Sequence, residues 1–171
     1  VMHRDFLYDI EITHEVTAPE RKASKCDVRK GDVFFTPSSE TRDDIAHSAV
    51  AMETMPGVVY SYHVVRLRPT ATIDLRFRAY LFKSYHFLRQ AYSLAAGSGQ
   101  RYVLSQDQFR QMTVRLPDHE TQAKVSDYFA KADREISLLD AEIDALTRQK
   151  HGLMQKLLTG AWRVIPDEVP A

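Results

Sequence analysis

Apolar residues in the last third of the chain recur at intervals that alternate between three and four residues. This spacing places them at the a and d positions of a heptad repeat, on one narrow stripe of a helix. Asp118 is a suitable N-cap, and Gly160 is a suitable stop. We therefore predict one long helix that pairs with another helix in a coiled coil. The seam positions, of which Lys150 is the charged member, are Phe129, Ala132, Ile136, Leu139, Ile143, Leu146, Lys150, Leu153 and Leu157.

Shorter patterns in the first 115 residues predict several strands. Residues 33–36 are an apolar run that ends at Pro37, which is typical of a buried strand. Alternation of aromatic and apolar residues over 60–66 predicts a second strand. The stretch RYVL predicts a third, and after a Ser-Gln-Asp turn residues 111–116 predict a fourth.

A helix is predicted between these strands, with Asp74 as its N-cap and Gly97 just after its end. On a helical wheel its buried face comprises Phe77, Leu81, Tyr85, Leu88, Tyr92 and Ala95. The opposite face carries Arg76, Lys83 and Gln90, with Tyr80 and Phe87 beside them. A basic stripe with aromatic neighbours suits a nucleic acid or a partner protein, and it is equally typical of an ordinary exposed helix face.

These elements predict an α+β fold in which a mixed α/β domain precedes a long coiled-coil helix. The predicted divisions are the mixed domain over 1–116, the long helix over 117–160 and a tail over 161–171.

Charge is distributed unevenly along a chain whose formal net charge is zero. Residues 60–115 hold nine Lys or Arg against two Asp, a net charge of +7. Such a block suggests an anionic partner for one face, although a solvated basic face explains it equally well. Cys26 is the only cysteine, so no intrachain disulfide is possible and a reducing cytoplasm is expected. No apolar run is long enough to span a bilayer, and no membrane partner is expected.

Catalytic motifs are missing from the sequence. His119 and Glu120 resemble the start of a zinc-protease helix, but Ala123 stands where the second histidine is required. The stretch GSGQRY lacks the third glycine of a dinucleotide-binding loop, and no Gly-Lys-Ser/Thr phosphate loop occurs. We therefore expect that the chain is not itself an enzyme and binds neither a metal nor a cofactor.

Three stretches resemble the specificity subunit of type I restriction-modification enzymes. They are KGDVFFTPSSETRDDIAHSAV (30–50), AAGSGQRYVLSQDQFRQMTVRLP (95–117) and KHGLMQKLLTGAWRV (150–164). The resemblance implies a target recognition domain over about 1–116 and a conserved spacer helix over about 117–160. Specificity subunits of this family carry two such domains and two such helices. The chain is therefore expected to be a half-subunit that forms a homodimer, or one half of a larger specificity subunit paired through the long helix.

The resemblance also implies partners. The recognition domain would read one half of a split site in double-stranded DNA, and paired spacer helices, antiparallel in the family, would set the gap between half-sites. Methyltransferase subunits would bind S-adenosylmethionine and modify adenine, and a motor-nuclease subunit would cleave. The chain would direct methylation and cleavage to a DNA site without catalysing either reaction.

Candidate DNA contacts follow from the chemistry of groove readout, which favours short polar side chains and arginine on rigid loops. One predicted loop contains Ser38, Ser39, Glu40, Thr41 and Arg42, and a second contains Ser98, Gln100 and Arg101. Glu40 is suited to accept a hydrogen bond from a cytosine amino group, and a turn-stabilising role is equally open. The candidates for phosphate contacts are Arg66, Arg68, Arg76, Lys83 and Arg89.

A coiled-coil adaptor without DNA specificity is the alternative hypothesis. It would use the same long helix for dimerisation and the face of Arg76, Lys83, Tyr80 and Phe87 for a protein partner. DNA binding weakens steeply with salt, whereas an apolar protein interface does not, so salt dependence separates the two hypotheses.

Overall fold

Residues 4–163, the part of the chain that the computed structural model describes, form a mixed α+β domain followed by a long helix, as the sequence predicted. The strands are β1 (Phe6–Leu7), β2 (Asp27–Val28), β3 (Val33–Phe35), β4 (Ser38–Ser39), β5 (Ser48–Ala51), β6 (Met55–Val59), β7 (Val65–Leu67), β8 (Ala96–Ser98) and β9 (Arg101–Val103). The helices are α1 (Glu20–Ala23), α2 (Phe77–Leu81), α3 (Tyr85–Leu94), α4 (Gln106–Gln111) and α5 (His119–Leu158), and a 3₁₀ turn covers Asp9–Glu11.

The central sheet has the strand order β1-β5-β3-β7. Strand β3 pairs antiparallel with β5 and β7, and β1 runs parallel to β5. Successive side chains of β3 enter different clusters, as expected from the alternation of a strand. Phe34 joins one small cluster, whereas Val33 and Phe35 join the main core. The predicted buried strand at 33–36 is thus confirmed. Phe35 meets Phe82 edge to face and Phe109 at a tilt, at ring-centroid distances of 5.0 and 5.5 Å.

A separate sheet, in the order β4-β9-β8, joins the chain just after β3 to a later hairpin. Ser38 pairs with Val103 and Ser39 with Tyr102. The hairpin needs glycine at Gly97, because its φ is +129° and an added Cβ would lie 2.2 Å from the carbonyl oxygen of Arg101. Two segments about 60 residues apart in the sequence therefore share one sheet.

The single helix predicted between Asp74 and Gly97 is wrong, because two helices occupy this region. Ser84 breaks the helix and caps α3 by accepting a hydrogen bond from the Phe87 amide. Because α3 begins anew after this break, its buried face differs from the face that one continuous helix would bury. Tyr85 and Tyr92, predicted to be buried, are 78% and 48% exposed, whereas Phe87, predicted on the outer face, is 4% exposed. Gly97 lies in β8, not at a helix end.

Two strand predictions also need correction. Residues 111–116 form no strand. The predicted Ser-Gln-Asp turn is instead the start of α4, where Ser105 and Gln108 make a capping box, and α4 includes Gln111. The alternation over 60–66 is misleading as well: β6 ends at Val59 and β7 begins only at Val65. Tyr62, between the two strands, is exposed. Local capping chemistry and turn formation outweigh the apolar alternation at both places.

Helix α5 begins where the sequence predicted, since the Asp118 carboxylate accepts a hydrogen bond from the Thr121 amide at 2.9 Å. It ends before Gly160, which has a φ of +74°. The chain divides into two compact units after Ser126, within this helix. The first turns of α5 belong to the first unit because two buried side chains of α5 bind Asp74. Gln122 Oε1 accepts a hydrogen bond from the Asp74 amide, and the Ser126 hydroxyl donates to the Asp74 carboxylate at 2.7 Å. Among the described residues, no helix has the length and apolar character needed to cross a membrane.

Candidate nucleic-acid interface

The two segments predicted to contact DNA meet at one polar cavity. They are not simple loops, because Ser38 and Ser39 lie in β4, and Ser98 and Arg101 lie in β8 and β9. Ser98 is not among the lining residues. Pairing of β4 with β9 places the segment after Ser39 beside the turn between β8 and β9. The cavity has a volume of about 500 Å³. It is lined by Ser38, Ser39, Glu40, Thr41, Asp44, Gln100 and Arg101. Of these lining residues, the sequence reasoning missed only Asp44, although it stands two positions after the end of the first predicted loop.

Local hydrogen bonds hold the first loop in place. The Thr41 amide donates to the Ser39 hydroxyl, and the Asp44 carboxylate contacts Nε2 of His47 at 2.6 Å. The loop closes at Ala46, which has a φ of +64°, and the Ala46 amide donates to the Thr36 carbonyl. A loop anchored at both ends presents its side chains without a large entropic loss on binding.

Arg42 lies beside this cavity and not among its lining residues. Its guanidinium stacks over the rings of Tyr92 and Tyr102, at 5.5 and 5.1 Å from their centroids. Its Nε is buried without a hydrogen-bond partner within residues 4–163. Stacking on two aromatic faces favours a planar cation. Arg42 therefore ties the first loop to α3 and β9, and its predicted DNA contact stays a prediction.

Three of the predicted phosphate contacts already have carboxylate partners. Arg66 donates to Asp27 at 2.8 Å, and Arg68 makes two bonds to Asp32, at 2.7 and 2.8 Å. Lys83 forms an ion pair with Asp5. The charges of these residues are partly neutralised inside the domain.

The other two predicted phosphate contacts, Arg76 and Arg89, are exposed, and no ion pair of either occurs in the described part of the chain. Arg89 lines a second cavity of about 510 Å³. The other residues lining that cavity are His86, Gln90, Ser93, Leu94 and Gln111. Among the five predicted phosphate contacts, Arg76 and Arg89 are therefore the best placed to meet an external anion.

The arginine cluster around Asp27 shifts the titration of its carboxylate. Hydrogen bonds from Arg29, and then from Arg66, lower the pKa of Asp27 to about 2. At Asp74, burial by itself would raise the pKa, but hydrogen bonds from Ser126 and the Phe77 amide outweigh it, so the pKa is lowered. Both carboxylates are thus held in the ionised form by hydrogen-bond donors, of which Arg66 and Ser126 come from distant parts of the sequence.

Replacing Asp27 by asparagine is expected to flatten the acid dependence of stability. Because the pKa of Asp27 is depressed in the folded state, its contribution is present above the unfolded value near 3.8 and is lost as pH falls towards 2. Urea unfolding at pH 4.5, 3.5 and 2.5 should show a shallower fall in the free energy of unfolding for Asp27→Asn. Asp107→Asn, which removes an exposed carboxylate, is the control. Identical pH profiles for wild type and Asp27→Asn would contradict the assignment.

The predicted seam of α5 is solvent-exposed along most of its length. Its side chains at Phe129, Ile136, Leu139, Ile143, Leu146, Leu153 and Leu157 are between 40% and 60% exposed. An apolar stripe of this kind on one helix is poorly stable in water without a partner surface.

Within residues 4–163, no group of three or more His, Cys, Asp or Glu side chains is placed to hold a metal ion. No curated protein matches the chain at a significant level. The family model described as the type I restriction modification DNA specificity domain matches residues 8–148, which include the polar cavity and most of α5. The chain therefore belongs to the type I restriction-modification DNA specificity domain family.

Proposed function

We propose that the chain is the DNA sequence-recognition subunit of a type I restriction-modification system and that it reads one half of a bipartite site. The observation that carries this proposal is the convergence of the two polar segments at one cavity beside the paired strands β4 and β9. Serine, threonine, glutamine and arginine side chains are the groups that read base edges and bind the adjacent phosphates. Exposed Arg76 and Arg89 supply additional positive charge on the same compact unit.

In this proposal the chain directs to a DNA site the reactions that other subunits catalyse. Methyltransferase subunits, which bind S-adenosylmethionine, and a motor-nuclease subunit assemble around it, and the chain itself does not catalyse. The exposed seam of α5 supports pairing with a second long helix, either from another copy or from a second half of the specificity subunit. The paired helices would set the distance between two half-sites.

The adaptor hypothesis loses its main support in the structure. Phe87 of the proposed partner-binding face is buried in the core, and Lys83 is bound to Asp5. The four residues thus do not form one accessible face. Only Arg76 of that set is exposed.

Methylome sequencing of cells that produce the chain with its methyltransferase partner tests the proposal. We expect new adenine methylation at a split motif. Identical inverted halves indicate a homodimer, and unlike halves that require a second recognition domain indicate pairing with another specificity segment. An assembled complex without new methylation would overturn the proposal.

Salt dependence provides a test with purified protein. Each phosphate contact steepens the slope of log binding constant against log salt concentration by roughly 0.9. We expect the double variant Arg76→Ala, Arg89→Ala to reduce the slope by up to about 1.8. Arg148→Ala, on the exposed surface of α5, is the control and should leave the slope unchanged. An unaltered slope in the double variant would show that neither Arg76 nor Arg89 contacts a DNA phosphate.

A further inference from the structure

Two residues of opposite charge, Glu40 and Arg101, both line the polar cavity. The antiparallel register pairs Ser38 with Val103 and Ser39 with Tyr102. Glu40 follows directly after the end of β4, and Arg101 precedes Tyr102 in β9, so the same register extended by one residue would bring Glu40 opposite Arg101. Residues directly opposite each other in an antiparallel pair lie on the same face. Both side chains line the cavity and both are exposed.

Neither the Glu40 carboxylate nor the Arg101 guanidinium has a charged or hydrogen-bonded partner among the residues that the structure describes. There, no ion pair or side-chain hydrogen bond of Glu40 or Arg101 is formed, even with each other. The other carboxylate of the cavity, Asp44, is bound to His47. Among the described residues, Glu40 is therefore the cavity's free carboxylate, and Arg101 is a free guanidinium of the same cavity.

A carboxylate at a DNA interface is repelled by the phosphates, and a hydrogen bond from a base can offset this repulsion. In the major groove, cytosine presents a lone amino donor, whereas the adenine amino group stands beside the N7 acceptor, which repels a carboxylate. Arginine makes its best base contact with O6 and N7 of guanine. A neighbouring carboxylate and guanidinium therefore match the two halves of one base pair.

We propose that Glu40 and Arg101 together read one C·G base pair in the major groove, with Glu40 accepting from the cytosine amino group and Arg101 donating to guanine O6 and N7. This inference rests on the proposed function and specifies one position of the half-site. Arg42 supports the arrangement because its stacking on Tyr92 and Tyr102 fixes the backbone two residues from Glu40. Tyr102 also neighbours Arg101, so the same contact restrains both sides of the pair.

Selection from a randomised DNA duplex library by the full chain tests this inference. We expect the wild-type motif to contain a C·G pair whose preference falls about tenfold in Glu40→Ala, with the other positions of the motif retained. Arg101→Lys keeps the charge but loses the two-pronged geometry, and it should weaken preference at the same pair. Asp43→Ala, which removes an exposed carboxylate of the same segment outside the cavity lining, should leave the motif unchanged.

The outcomes separate this inference from the proposed function. A wild-type motif that survives unchanged in Glu40→Ala, or that changes at an A·T pair, would overturn the reading of C·G. Effects of Glu40→Ala and Arg101→Lys at different positions would do the same. Loss of binding to a non-specific duplex by Glu40→Ala would assign Glu40 a structural role and contradict base readout by it. A wild-type chain that selects no motif would contradict the proposed function itself.

Discussion

Placing glutamate at both Ile143 and Leu146 is expected to abolish self-association of the chain. These residues occupy adjacent a and d positions of the α5 seam, and they are 60% and 56% exposed in the single chain. In a coiled coil they would be buried against a partner helix, where an unpaired charge is strongly unfavourable. We expect wild type to form a dimer at micromolar concentration and the double variant to sediment as a monomer in analytical ultracentrifugation.

The control adds the same two charges outside the seam. Ala141→Glu with Ala145→Glu places them at exposed f and c positions of two successive heptads, and this variant should remain dimeric. A dimeric Ile143→Glu, Leu146→Glu variant would show that the heptad assignment is wrong. If the wild-type chain stays monomeric, the partner of the seam would be a helix from a second half of the specificity subunit and not a second copy of the chain.

Removal of the Asp32 carboxylate is expected to destabilise the mixed α+β domain far more than removal of an exposed carboxylate. The Asp32 side chain is 1% exposed, and it accepts bonds from Arg68 at 2.7 and 2.8 Å and from the Arg29 amide at 2.8 Å. Asp32→Ala removes the acceptor for the Arg29 amide and for the charged guanidinium of Arg68. Because Arg68 retains partial access to water, we expect a loss near the lower end for broken buried pairs, about 3 kcal/mol.

Urea unfolding of Asp32→Ala at neutral pH measures this loss, with Asp43→Ala as the exposed control that should change stability little. A loss of about 3 kcal/mol is a large part of the stability of an ordinary domain. A change below about 1 kcal/mol, the size of a surface ion pair, would show that the Asp32–Arg68 pair is not a structural anchor. The same result would free Arg68 for the phosphate contact that the sequence predicted.

The elements with strong local signals were predictable. Helix α5 carries a long uninterrupted apolar period, a capping aspartate and a terminal glycine, and its ends agree with that prediction. Strand β3 was predictable because a short apolar run ending at Pro37 leaves few alternatives. The helix between Asp74 and Gly97 was mispredicted because a single capping residue, Ser84, interrupts a period that otherwise looks continuous.

The candidate site was predictable in its parts but not in its assembly. The sequence singled out two segments by their polar and glycine residues, and the pairing of β4 with β9 brings them to one cavity. The arginines were harder to assign, since a basic residue looks the same in sequence whether it faces solvent or a buried acid. Arg66 and Arg68 meet Asp27 and Asp32 only after β7 pairs beside β3.

The sequence by itself determined the α+β class, the long terminal helix and the family, because these depend on periodicity and on ordered motifs along the chain. Only the tertiary structure decided which charges remain available to a partner. Ion pairing depends on distances between residues far apart in sequence, and these are set by strand register and packing. That is why Arg68 is bound to Asp32, while Arg101 in the polar cavity forms no ion pair within the described part of the chain.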